Sequence, residues 1–158
     1  IIMCESMSSI FEGSNASRVA KEFSDRVWLS WTNRGHQPDQ LPSTEALSKA
    51  VDFSIEADVE CTLINCSHAD MASNSIKELK RASRFGIFAN SSTFKEVDLS
   101  IATKDVDAIH HLNSNKISAK EYAMIALSWV KEGAYVVGGC CGTTVEHTRE
   151  IKLLMDSL

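Results

Sequence analysis

Val136-Val137-Gly138-Gly139-Cys140-Cys141-Gly142-Thr143-Thr144-Val145-Glu146-His147 is the stretch on which the reading of this chain turns. An apolar run ends at glycines, delivers two adjacent cysteines, and passes at once into a helix start. Thr143 and Glu146 have the spacing of a capping box, which satisfies free N–H groups in a first helical turn. The glycines permit a tight turn and a close backbone approach to whatever the thiols hold. The pattern is therefore strand, sulfur-bearing loop, helix.

The same order repeats upstream. Residues 1–4 read as a short strand ending at Glu5, and residues 9–23 as a helix. Residues 27–31 form the next strand, with Trp28 and Trp31 read as sharing one face. A helix over 43–57 is expected, capped by Ser43 and carrying Leu47, Val51 and Ile55 inward at four-residue spacing. Residues 62–65 make a strand ending at Cys66, and 70–82 a helix with Met71, Ile76 and Leu79 inward. Residues 87–89 make a strand ending at Asn90-Ser91. Periodicity then fails across 92–116, an excursion that includes Asp105, His110 and His111. Ser118 and Glu121 give a second capping box, opening a helix that Gly133 stops and that buries Tyr122, Ala126, Trp129 and Val130. The Val136 strand and a helix over 144–154 close the sequence.

Five β-α repeats whose strands are too apolar to have a wet face indicate a parallel sheet covered by helices. The unusual residues gather just after the strands: Glu5, Thr32, Cys66, Asn90, Cys140 and Cys141. Chemistry at the carboxyl ends of parallel strands is the layout of a (β/α)₈ TIM barrel. On that reading residues 1–158 supply about the last five of eight β/α units of a single barrel domain. The chain opens inside a strand, and the expectation is that it is the C-terminal part of a longer protein.

Composition narrows the function classes. The 158 residues carry a formal net charge of -5, which gives no electrostatic case for nucleic acid or an anionic membrane surface. No apolar run approaches the roughly 20 residues of a membrane-spanning helix. No Gly-x-Gly-x-x-Gly follows the first strand and no Walker-type loop is present, so nucleotide binding lacks support. Five cysteines, an odd number with two adjacent, argue against a closed disulfide framework and for a reducing, cytoplasmic setting.

Cys66, Cys140 and Cys141 lie at the ends of two strands that a closed barrel brings together. A trithiolate set favours zinc over magnesium or calcium. Zinc with three thiolates is a poor activator of water and suits holding a further sulfur as thiolate. The reaction expected of such a centre is S-alkylation of a substrate thiol. Cys4 and Cys61 read as small buried hydrophobes.

The segment from Gly138 to His147 closely resembles the zinc-binding motif of the homocysteine S-methyltransferases. Asn65-Cys66 is similar to that family's upstream Asn-Cys motif, Glu5-Ser6-Met7 to its Glu-Thr-Met segment, and Asn90-Ser91 to its Asn-Ser segment. The resemblance runs the length of the chain in the right order. It implies a zinc-dependent TIM barrel that transfers a methyl group to homocysteine, making methionine. Cys66, Cys140 and Cys141 match the metal ligands, Glu5 the carboxylate that holds the homocysteine amino group, and Asn90 a second substrate-binding position. The resemblance is closer to the branch that uses a sulfonium donor, S-methylmethionine or S-adenosylmethionine, than to the betaine branch. The alternative is a barrel remnant that keeps zinc but serves as a non-catalytic interaction or regulatory protein.

Other histidines carry less. His68, two residues after Cys66, is a candidate fourth ligand in the resting site. His110 and His111 read as a solvated loop, and His147 as a structural residue bonding backbone near the metal loop. His36 has no visible partner in the sequence.

Overall fold

The computed structural model describes residues 1–35, 37–93 and 116–157. His36 and the excursion containing Asp105, His110 and His111 lie outside the described residues.

Among the described residues five strands form one parallel sheet in the order in which they occur in the chain: β1 (Ile2–Met7), β2 (Val27–Trp31), β3 (Cys61–His68), β4 (Phe85–Asn90) and β5 (Val136–Gly139). An order that never reverses has no switch point of the doubly wound type and is the order of a barrel wall. Between the strands lie α1 (Ile10–Lys21), α2 (Leu47–Glu56), the short α3 (Ala69–Asn74) and α4 (Ile76–Leu79), and α5 (Ala119–Lys131). Helix α6 (Val145–Met155) follows β5.

Alternation along the strands sorts the side chains into two faces. Val27, Leu29, Trp31, Ile64, Phe85, Ile87 and Ala89 share a core with Leu47, Ala50, Val51, Leu79, Tyr122, Ala126 and Trp129 of the helices. By the strand register, Trp28, Ser30, Leu63, Asn65, Phe88 and Asn90 belong to the opposite face. Trp28 and Trp31, three residues apart, thus lie on different faces, not one. Trp31 is fully buried in the helix layer, its ring edge-on to Phe53 and its Nε1 donating to Ser54 Oγ at 3.0 Å.

The helix ends show which local signals survive packing. Ser118 and Glu121 make the expected capping box: Glu121 N–H donates to Ser118 Oγ at 3.3 Å, and Ser118 N–H to Glu121 Oε2 at 2.8 Å. Helix α2 instead starts at Leu47, without a side-chain cap, because Ser43 Oγ donates to Glu45 Oε2 at 2.6 Å. The same Glu45 oxygen accepts the Ile10 N–H at 2.9 Å, so this carboxylate serves the start of α1, where an anion is favoured.

The single helix expected over 70–82 is broken at Ser75. Its hydroxyl oxygen lies 3.1 Å from the carbonyl oxygens of both Met71 and Pro38, and such side-chain bonding competes with the backbone ladder. Ile76 and Leu79 are buried as expected, whereas Met71 is only half-buried. In α5, Tyr122, Ala126 and Trp129 are buried and Val130 is half-buried.

Helix α6 begins one residue later than the capping-box reading places it. Thr144, not Thr143, is the N-cap, and its N–H donates to His147 Nδ1 at 3.1 Å. Thr143 Oγ1 turns back to donate to the Cys140 carbonyl at 2.7 Å. Val145 is therefore the first helical residue and is 77% exposed, after a Thr144 whose φ of -130° and ψ of 174° suit a residue preceding proline. Val145→Pro is expected to raise stability by about 0.4–1 kcal/mol by restricting the unfolded chain. A higher denaturant midpoint with unchanged m-value checks it.

Candidate metal centre

Three strand ends meet at the carboxyl rim of the sheet. Residues Cys66 on β3 and Cys140-Cys141 just beyond β5 bring their Sγ atoms within 4.8 Å of one another, and among the described residues no other such group of potential ligands occurs. Cys66 Sγ lies 3.6 Å from Cys141 Sγ, and Cys140 Sγ 4.0 Å from Cys141 Sγ. A disulfide would need about 2.05 Å. A tetrahedral centre with metal–sulfur bonds of about 2.3 Å sets its sulfurs about 3.8 Å apart. These two spacings straddle that value and the third is no more than 4.8 Å, so the trio fits zinc.

Cys66 is aimed by its backbone. From Asn65 to His68, β3 uses one residue more than β4 uses from Phe88 to Asn90, a bulge that contains Cys66 at φ +53°. Bulges re-aim side chains at strand ends, and a left-handed residue other than glycine is held at a cost of about 1–3 kcal/mol. The holding contacts are present. Ser67 Oγ accepts the Asn33 N–H at 2.9 Å and donates to the Asn65 carbonyl at 3.1 Å, bracketing Cys66.

The Cys140-Cys141 loop is held by β4. Cys140 N–H donates to the Ala89 carbonyl at 2.8 Å, continuing the sheet by one bond beyond β5. Cys141 N–H donates to Asn90 Oδ1 at 3.0 Å, while the Cys141 carbonyl accepts the Ser91 N–H at 3.0 Å. Gly142 then turns at φ +77°, where an added Cβ would lie 2.7 Å from Ser91 Oγ. Beneath the loop, Tyr122 Oη lies 2.7 Å from the Ala89 carbonyl and 2.8 Å from that of Gly138, tying α5 to both strands.

The thiols do not behave alike. The neighbouring Cys66 and Cys141 thiols pull Cys140 down, while Cys66, half-buried beside the other two sulfurs, is pushed well up. Burial pushes Cys61 up to about 12 and also raises Cys4. Those two are buried thiols away from the cluster, as expected of small hydrophobes.

The remaining candidates fall into place. Glu5 is exposed on β1, inside a second bulge. Asn90 is buried, and its Oδ1 acts on the Cys141 backbone. His68 Nδ1 pairs with Ser92 Oγ at 2.8 Å, and His68 is not part of the cysteine group. His147 supports backbone beside the loop, as read from the sequence, and its ring stands edge-on to Tyr122. Asn65 and Ser91 stand in the motifs and Tyr122 in the buried helix stripe read from the sequence, but their part in holding the cysteine-bearing backbone was not read there. Two of them belong to the motifs themselves, which is the signal that was available.

Asn90→Ala removes the acceptor for Cys141 N–H. It is expected to weaken metal binding about 10–100-fold, the usual effect of losing a group that orients a ligand. Competition with a chromophoric chelator measures it.

The sequence model of the family described as Homocysteine S-methyltransferase matches residues 1–155. Homocysteine S-methyltransferase YbgG of Bacillus subtilis (strain 168) is 25% identical over 161 residues, covering 100% of this chain and 47% of that protein. The metallated form of the homocysteine methyltransferase MmuM from Escherichia coli superposes with a TM-score of 0.69 at 18% identity, covering 98% of this chain and 44% of that one. Its apo form gives 0.67 at 17% identity, covering 97% and 49%. The chain thus spans about half the length of the relatives it matches, and its fold is that of the MmuM structures over that half.

Proposed function

The chain belongs to the homocysteine S-methyltransferase family, and from that premise we propose that it forms the metal-binding part of an enzyme that methylates the thiol of homocysteine to give methionine. The observation that supports this best is the spacing of the three sulfurs at one rim of a parallel sheet. On this reading the five β/α units are the last five of an eight-unit barrel, residues 1–158 forming part of one domain. The enzyme acts in the cytoplasm.

Cys66, Cys140 and Cys141 would hold the ion. Zinc bound there would keep the homocysteine sulfur as an electron-rich thiolate at neutral pH. The chain's own residues do the positioning. Asn90 and Ser91 fix the Cys141 backbone on both sides, and Tyr122 fixes the strand ends below. Glu5, on the first strand, takes the amino group of homocysteine. Asn90 Nδ2 offers a further donor toward the substrate. Holding two small reactants in line for methyl transfer supplies much of the rate without a dedicated general base. The donor is a sulfonium, S-methylmethionine or S-adenosylmethionine.

Elemental analysis by mass on the full-length protein, with methionine formation followed from each donor, tests the proposal. About one zinc per chain and methionine from a sulfonium donor are expected. A zinc-loaded protein that makes no methionine from either donor refutes the enzyme and leaves the non-catalytic barrel remnant.

A further inference from the structure

Two bulges face each other across the carboxyl rim. From Cys4 to Met7, β1 uses one residue more than β2 uses from Leu29 to Trp31, and Ser6 sits in that extra length at φ +60°. From Asn65 to His68, β3 does the same against β4, with Cys66 at φ +53°. One bulge presents Glu5 and the other presents Cys66. Neither Ser6 nor Cys66 is a glycine, so both backbones depend on outside contacts to stay left-handed.

The contacts at Ser6 come from the Asn65 amide. Ser6 N–H donates to Asn65 Oδ1 at 3.0 Å, and Asn65 Nδ2 donates to Ser6 Oγ at 2.7 Å. Ser30 Oγ on the intervening strand donates to the same Oδ1 at 2.7 Å. The amide is 2% exposed and spans three strands, gripping Ser6 at both its backbone and its hydroxyl. Asn65 is also the residue directly before Cys66. One side chain therefore fixes where the β1 bulge stands relative to the sulfur cluster.

We propose that Asn65 is a positioning residue that sets the span between Glu5 and the cysteine cluster, and so selects the length of the amino-acid thiol that bridges them. This rests on the function proposed above, in which Glu5 takes the amino group and the cluster takes the sulfur. Homocysteine and cysteine carry the same two groups and differ by one methylene. A rigid span favours the longer thiol, and a pocket reads one methylene as about 10–200-fold. With the amide gone, Ser6 relaxes out of its left-handed conformation and Glu5 moves with it. The preference then narrows while the metal ligands remain.

The test uses the zinc-loaded full-length protein, with zinc counted by mass and the dissociation constants of homocysteine and cysteine measured by calorimetry. Asn65→Ala is expected to keep about one zinc per chain and to narrow the homocysteine-over-cysteine ratio at least about tenfold, within the range of one methylene. Asn65→Asp keeps an acceptor for both Ser6 N–H and Ser30 O–H, and its second oxygen accepts from the Ser6 hydroxyl in place of the Nδ2 donation, so it is expected to preserve the ratio. If Asn65→Ala does not fold, Ser6→Ala carries the test, since it strips the Nδ2 contact alone and is expected to narrow the ratio in the same direction. An unchanged ratio in the folded variant overturns the proposal. So does equal weakening of both thiols with loss of zinc, which would make the amide a support for Cys66 only. Wild-type protein that binds neither thiol refutes the function itself, independently of any Asn65 variant.

Discussion

Replacing Cys66, Cys140 or Cys141 by serine, one at a time, is expected to lower zinc affinity of the full-length protein by about a thousandfold and to remove methyl transfer with it. A structural zinc site is worth about 10–16 kcal/mol, so one of three protein ligands carries roughly 4 kcal/mol, or about three decades. Serine keeps the shape and loses the soft anion, so the backbone bonds of the loop to Ala89, Asn90 and Ser91 should persist. Circular dichroism and melting behaviour close to the metal-free parent would show that the loss is one of ligation. The three positions should behave alike because each supplies one sulfur to one group. A serine variant that retained one tightly held zinc per chain would separate that cysteine from the centre.

The largest loss of stability is expected at Trp31→Ala, about 3–5 kcal/mol, in the range of large aromatic deletions in cores. Trp31 is fully buried where α1 and α2 meet the sheet. Its ring fills the space over Gly13, where an added Cβ would lie 2.4 Å from the indole, and its Nε1 serves Ser54 Oγ at 3.0 Å. Alanine would leave both a cavity and a hydroxyl without its donor. Gly13→Ala attacks the same contact from the other side and is expected to cost about 1–3 kcal/mol by overpacking. Chemical denaturation of the pair and of the double variant measures both. Near-additive losses would show that the two side chains do not share one packing site, contrary to this account.

The parts of this molecule that were legible in the sequence are those governed by neighbours a few residues away. The strand at Val27–Trp31, the Ser118–Glu121 box and the stop at Gly133 stand where local pattern puts them. The convergence of the cysteines also followed, because residues at the ends of parallel strands share a rim whatever the helices do. The misses have distant causes. Ser43 fails to cap α2 because Glu45 is engaged at Ile10, 35 residues away. Ser75 breaks a helix through Pro38, 37 residues away. The two bulges exist only as a mismatch between one strand and the next, so no single strand's pattern could reveal them. The face shared by Trp28 and Trp31 was an error of parity: an odd separation puts strand residues on opposite sides.

The backbone around the cysteines has one more implication. A glycine-rich turn at a helix start usually offers bare N–H groups, the natural cradle for a phosphate. Here Cys140 N–H is committed to Ala89, Cys141 N–H to Asn90, Thr143 N–H to Cys140 and Thr144 N–H to His147. These four donors are spent inward, on rigidity. Those four groups are therefore not available to a phosphate, and this part of the turn serves to hold the thiols in place.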